Sequence, residues 1–446
     1  MKELSKFFIF ILAICYALYT GQIIFFVSIL AYYMIGLFLI KVILSPHSKE
    51  VYFLYDLFFV IYGYLVLFSQ VELIHNPETD YYIHNDASDS FYKAVISYIL
   101  PCDYSELYDK TIANPQFVHY PLAAFIMGFM GKLGLVLEVD NLRLFLRIHI
   151  FTIGAFIIGI IANLLYSKGL SPKTIIKNVV VFGLISFLLI SSAIFTRDIY
   201  VTLIYTLGTY VMLKDDINKK ILWFVSLFLI ALGLRPESGL LFLVYPFCYY
   251  FNTFKSQMGK MSIIIFLFIF VGLMFLLSEL IITTSESVAG YSERNAEMNA
   301  GGMYAMISNL PFPINTIMIC IYMLMMPLPM FAYCLGDGGT FLNLPNVLSP
   351  YLWFTIVTTC CYYLFYYKKQ QKNNIIKVAM ITSIIVFVAI IQASPHIRRG
   401  FNALPGLFIC YCLVLNKVPY KIRKQINHIG WSVIAAINIF FLWYLN

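Results

Sequence analysis

Residues 175–213 read IIKNVVVFGLISFLLISSAIFTRDIYVTLIYTLGTYVML. They hold two apolar runs, 175–194 and 197–213, joined by a turn that carries Arg197 and Asp198 at the head of the second run. Each run is long enough to cross about 30 Å of hydrocarbon as a helix. Two such runs back to back, with so little between them, identify a polytopic membrane protein.

The same pattern continues outward in both directions. Further runs fall at 7–21, 23–42, 51–70, 145–166, 219–234, 237–252, 261–283, 348–367, 375–392, 401–415 and 428–445. With the first two, that predicts about thirteen crossings in one integral membrane domain spanning residues 1–446. Composition agrees: 61% of the 446 residues are apolar or aromatic and 12% are charged. A typical soluble domain has about 25% charged residues, so a soluble enzyme, a nucleic-acid binder and a disordered scaffold are excluded.

Lys2 and Lys6 precede the first run, but no small-residue cleavage site follows, so it reads as an uncleaved membrane helix. Of nine cysteines only Cys102 lies in a polar stretch, and none forms a C-x-x-C pair. They read as small apolar fillers.

Charge sets the expected sidedness. With a cytoplasmic N-terminus, the segments 41–49, 168–177, 214–220, 255–260, 368–377 and 417–424, all bounded by lysines, fall inside. This parity requires the runs 120–139 and 310–335 to enter without crossing. Pro121 with Gly128, Gly131 and Gly134 punctuates the first run, and Pro311, Pro313, Pro327 and Pro329 punctuate the second. Both therefore read as interfacial or re-entrant segments. They belong to two large outer loops, 71–144 and 284–347.

Sorting cations by side separates the two residue types. Of 22 lysines, 19 fall inside, whereas seven of eight arginines fall outside: Arg143, Arg147, Arg197, Arg235, Arg294, Arg398 and Arg399. Topogenesis uses Lys and Arg alike, so an outer preference for guanidinium calls for another reason. A planar fork that binds phosphate or carboxylate through two parallel hydrogen bonds supplies it.

Three short outer turns concentrate these charges: Arg197-Asp198, Arg235-Pro236-Glu237 and Pro395-His396-Ile397-Arg398-Arg399. Each acid can pair with the arginine beside it, or the arginines can face a lipid-linked phosphate. The second reading makes Arg197, Arg235, Arg398 and Arg399 a diphosphate cradle, with Asp198 and Glu237 in support. His396, among arginines, is expected to stay neutral and able to accept a proton. In the first outer loop Asp86 and Asp89 share a face if helical, beside Tyr92; they are suited to binding a cation, orienting sugar hydroxyls or serving as a base. Arg294 sits in a polar stretch of the second loop with the character of a lid or acceptor-binding strand.

An acidic first outer loop, Tyr120-Pro121, an R-D helix top and the next R-P-E turn together resemble the GT-C superfamily of membrane glycosyltransferases. The Pro311-Phe-Pro313 segment, the Met326-Pro-Leu-Pro329 break and the P-H-x-R-R turn are similar to Wzy-type polymerases of O-antigen and capsule repeat units. That resemblance implies a bacterial plasma-membrane enzyme with an outward-facing site. Its substrates would be glycans on undecaprenyl diphosphate, with no cofactor or metal and with a chain-length regulator as a possible partner. Asp86 and Asp89 look more like the acids of transferases that use polyprenyl-phosphate monosaccharides, which keeps that activity as the alternative. A flippase for lipid-linked glycans is the third class. Transporters place ionisable groups near the midplane in repeat-related broken helices, and here charges gather at helix ends with no internal repeat.

Overall fold

In the computed structural model the run beginning near residue 145 folds as a helix from Leu142 to Ser167, almost wholly buried. Apolar residues all around a helix produce this outcome, since no face prefers water. The structure describes residues 2–45, 48–75, 94–113, 121–194, 197–215, 217–258, 306–307, 309–325, 344–366, 375–393 and 397–445. Every regular element among them is helical.

The first helices are α1 (Lys2–Thr20), α2 (Ile23–Leu39), α3 (Lys49–His75), α4 (Leu107–Ala113), α5 (Pro121–Val136), α6 (Leu142–Ser167), α7 (Pro172–Ile185) and α8 (Leu188–Ser191). They are followed by α9 (Asp198–Leu213), α10 (Lys220–Leu234), α11 (Pro236–Phe242), α12 (Val244–Met258) and α13 (Ile314–Met325). The last five are α14 (Leu344–Tyr366), α15 (Ile375–Ala393), α16 (Ile397–Gly400), α17 (Leu404–Val414) and α18 (Tyr420–Leu445).

Four described segments are long and apolar enough to cross a bilayer: Ile23–Leu44, Lys49–Gln70, Leu142–Ser167 and Ile375–Gln392. Six shorter apolar helices, among them Asp198–Leu213 and Lys220–Leu234, accompany them. The chain is an all-α membrane protein. The expected run 261–283 and most of the second outer loop lie outside the described residues.

Two compact units divide the chain. The first comprises Met1–Leu203, Gly233–Arg235 and Phe331–Ser349; the second comprises Ile204–Leu232, Pro236–Met330 and Pro350–Asn446. In the first unit α6 is central, packed by α2, α3, α5, α7 and α8. Its ends are set by local chemistry. The Asn141 side chain accepts from Leu144 N at 3.0 Å, and Gly169 closes the other end at φ +81°. Ser171 then caps α7, with Pro172 at its first position. In the second unit α15 packs against α12, α13 and α17.

Three helical segments differ from the sequence expectation. The run 175–194 is two helices, because Ser186 is extended (ψ 163°) and its hydroxyl accepts from Leu188 N at 3.3 Å, starting α8 anew. The run 237–252 breaks at Leu243, since Pro246 has no N–H to offer the Phe242 carbonyl. Conversely, Gly128, Gly131 and Gly134 do not interrupt α5. They line it where Ile99, Leu100 and Leu142 press too close for a side chain, so they are packing glycines rather than breaks.

Candidate functional site

The first unit has two chemically distinct ends. At one, Ser5 Oγ and Tyr33 Oη each donate to the buried Asp56 carboxylate at 2.9 Å, and Asn163 Nδ2 donates to Leu44 O at 3.0 Å. The helix ends beside these contacts carry Lys41, Lys49 and Lys168. At the other end, Gln22 from the α1–α2 turn donates to Glu138 O at 2.9 Å and accepts from Asp140 N at 3.1 Å. That end receives Arg143 and Arg147, on the first two turns of α6 and four residues apart, hence on one face.

Arg147 is fully buried, and its Nη1 donates to Ser69 Oγ at 3.1 Å, joining the end of α3 to the start of α6. Two residues further along α6, His149 Nε2 hydrogen-bonds the Tyr200 hydroxyl on α9. Tyr32 of α2 lies beside the same imidazole, ring centroids 6.5 Å apart, and Met127 Sδ of α5 accepts from Tyr200 at 3.8 Å. Tyr200 is two residues from Asp198, the first residue of α9. Asp198 Oδ1 lies 3.7 Å from Arg235 Nη1, and both side chains are buried.

These contacts bring together the ends of α3 and α6, the head of α9 and the turn before α11. Arg143, Arg147, Arg197, Asp198 and Arg235 therefore share one end of the first unit. Pro236, with no N–H to lose at a helix start, fixes α11 directly after Arg235 and leaves that arginine no slack. Lys132 is buried on α5, where its ammonium donates to the Leu100 and Cys102 carbonyls and lies 5.3 Å from the Tyr104 ring centroid. That lysine anchors the segment before α4.

Asp198 reaches across to Arg235, so two turns separated by α9 and α10 are held as one. A desolvated ion pair of this kind holds a guanidinium in fixed orientation, which a flexible lysine at the same position would not provide. Glu237 and Arg399, both half-buried, belong to the second unit. Arg398 lies on α16 in the same unit. Asp86, Asp89, Tyr92, Arg294 and His396 lie outside the described residues.

Sequence reasoning counted Arg147 among the outer cations without placing it at a site, and it passed over Ser69, His149 and Tyr200. The available signal was His149 with Arg143 and Arg147 inside one apolar run. An ionisable group at membrane depth is a functional candidate by default. No known protein family, curated protein or solved structure matches the chain.

Proposed function

We propose that the chain is a glycosyltransferase that joins lipid-linked glycan repeat units, in the manner of a polysaccharide polymerase, at the outer face of the plasma membrane. The observation that carries this reading is the buried Asp198–Arg235 pair at the end of the first unit that also bears Arg143, Arg147 and Arg197. Four guanidiniums gathered at one helix-bundle end suit a dianionic leaving group such as a polyprenyl diphosphate. The positive-inside rule turns this end outward, since the opposite turns carry the lysines.

In the reaction the acceptor sugar hydroxyl attacks the anomeric carbon of the donor glycan. The bond from that carbon to the diphosphate oxygen breaks, and the lipid diphosphate leaves with the electron pair. Arg197 and Arg235 stabilise the charge that grows on it, and Arg398 and Arg399 are assigned the same role. A preorganised donor of this type contributes about 3 to 4 kcal/mol to the transition state. The proton from the acceptor passes to His396, with Asp86 or Asp89 orienting that hydroxyl or accepting the proton instead. Anchoring both substrates in one bilayer supplies proximity.

Deletion of the gene in its own strain, followed by analysis of the surface polysaccharide, tests the proposal. Single-repeat chains are the expected result. Full-length chains lacking one side sugar would instead establish a monosaccharide transferase, the reading that Asp86 and Asp89 favour, and an unchanged polysaccharide would overturn both.

A further inference from the structure

The second unit contains a cavity of about 270 Å³ between α14, α17 and the first three turns of α18. One water needs only about 10 to 15 Å³ of such space, so a phosphate and its ester substituents fit. One face of α18 supplies Tyr420, Arg423, Lys424, Asn427, His428 and Trp431, a helical repeat of cations and aromatics. Thr355 and Thr359 of α14 and Tyr411 of α17 close it.

This lining is polar beyond what its neighbours satisfy. Among the described residues Arg423 Nε, Asn427 Oδ1 and Thr359 Oγ1 are buried atoms without a hydrogen-bond partner, and Thr359 is wholly buried. Trp431 Nε1, by contrast, is committed to Thr355 Oγ1 at 3.2 Å, which fixes the indole as a wall. Arg423 lies 5.9 Å from the Tyr420 ring centroid. Arg423 Nε and Thr359 Oγ1 are donors, and leaving them buried without partners carries a desolvation cost that a bound anion removes.

The cavity's surroundings indicate what the anion is attached to. It lies near the end of the second unit where the ammonium groups of Lys377 and Lys417 both approach the Tyr363 ring, at 5.5 and 5.9 Å from its centroid. Beyond the cavity, on the side of α18 that carries His428, the large apolar side chains of Ile439 and Trp443 are exposed. A cationic cavity at the foot of an exposed apolar helix face matches a molecule with an anionic head and acyl chains. We propose that this cavity binds the phosphate of an anionic membrane phospholipid, whose chains lie along the exposed face of α18. Arg423 and Lys424 pair with the phosphate, Thr359 donates to it, and Asn427 turns its amide toward the headgroup. This site is independent of the glycosyl-transfer reading.

Native mass spectrometry of the purified full-length protein, released from nanodiscs containing equal phosphatidylglycerol and phosphatidylcholine, provides the test. Selective retention of phosphatidylglycerol is expected. Arg423→Gln with Lys424→Gln is expected to weaken that retention about tenfold, the loss of at least one hydrogen bond to a charged group. Lys173→Gln with Lys177→Gln, the same charge change on α7, is expected to leave it unchanged. Asn427→Asp, which sets a carboxylate of equal size into the cavity, is expected to reduce it comparably, so the outcome does not hang on the folding of one variant. Equal retention of both lipids by the wild-type protein would overturn the proposal. So would displacement of the lipid by millimolar inorganic phosphate, which would mark a soluble anion as the occupant, or undiminished retention in both cavity variants.

Discussion

Asp198 and Arg235 face each other at 3.7 Å with side chains only 6% and 8% exposed, tying the head of α9 to the turn that opens α11. Ion pairs removed from water are poor net stabilisers, yet they are strongly destabilising when one member is removed, because the other charge stays buried. Asp198→Ala is therefore expected to cost about 3 kcal/mol or more of unfolding free energy. The double variant with Arg235→Ala is expected to lose less than the two single losses added together. Denaturant unfolding in detergent micelles measures both. Additive losses would show that the pair is not coupled.

Arg235→Lys separates structure from function at the same pair. The charge persists but the planar fork is lost, so the ion pair is largely kept while two-pronged phosphate binding is not. Near-normal stability with shorter, scarcer surface polymer is expected, read by thermal unfolding and by electrophoresis of the polysaccharide. Unchanged polymer length and abundance would sink the diphosphate role of this arginine.

A different constraint holds α6 against the turn before α9. A methyl group added at Gly154 would stand 2.8 Å from Ser192 Cβ and closer still to its hydroxyl. Overpacking of this kind costs about 1 to 3 kcal/mol. Gly154→Ala is expected to lower the unfolding midpoint, and Ser192→Gly in the same chain is expected to restore much of it. Failure of that rescue would place the crowding elsewhere.

What could be read in advance, and what could not, follows from the periodicity of apolar residues. The α6 boundaries fall within three residues of the run at 145–166, and α15 starts where its run starts, because a lipid-length block of Leu, Ile, Val and Phe has few other solutions. The break at Ser186 was invisible because one serine in an apolar run is unremarkable until its hydroxyl caps the next turn. The glycines of α5 read as interruptions, since sequence cannot tell a glycine that bends a helix from one that admits Leu100 beside it. At the candidate site, the short turns bearing Arg197, Asp198 and Arg235 were legible as charged turns between apolar runs. Their pairing was not, because Asp198 reaches an arginine that lies two helices further along the chain.

At the lysine-bearing end of the first unit, Asp56 receives hydrogen bonds from Ser5 and Tyr33, both at 2.9 Å. Bonds to a charged group contribute about 1.5 to 3 kcal/mol each. Ser5→Ala and Tyr33→Phe are each expected to destabilise the protein in that range. Because the two donors occupy different carboxylate oxygens, their combination is expected to be close to additive, as measured by denaturant unfolding. Tyr33 also stacks on Tyr55, with centroids 5.9 Å apart, and phenylalanine preserves that contact, so the loss reports the hydroxyl.

The His149–Tyr200 hydrogen bond joins α6 to α9 from inside, with His149 7% and Tyr200 6% exposed. Tyr200→Phe leaves the imidazole Nε2 buried with that bond gone, at a cost of about 1 to 3 kcal/mol. Replacing both partners by apolar groups removes the unmet demand, so His149→Phe with Tyr200→Phe is expected to be more stable than Tyr200→Phe alone. If this bond only sets how α6 meets α9, restored folding brings restored chemistry, and the double variant is expected to make surface polymer of wild-type length. Stable double-variant protein with shortened polymer would instead give His149 a direct part in the reaction at the arginine-bearing end.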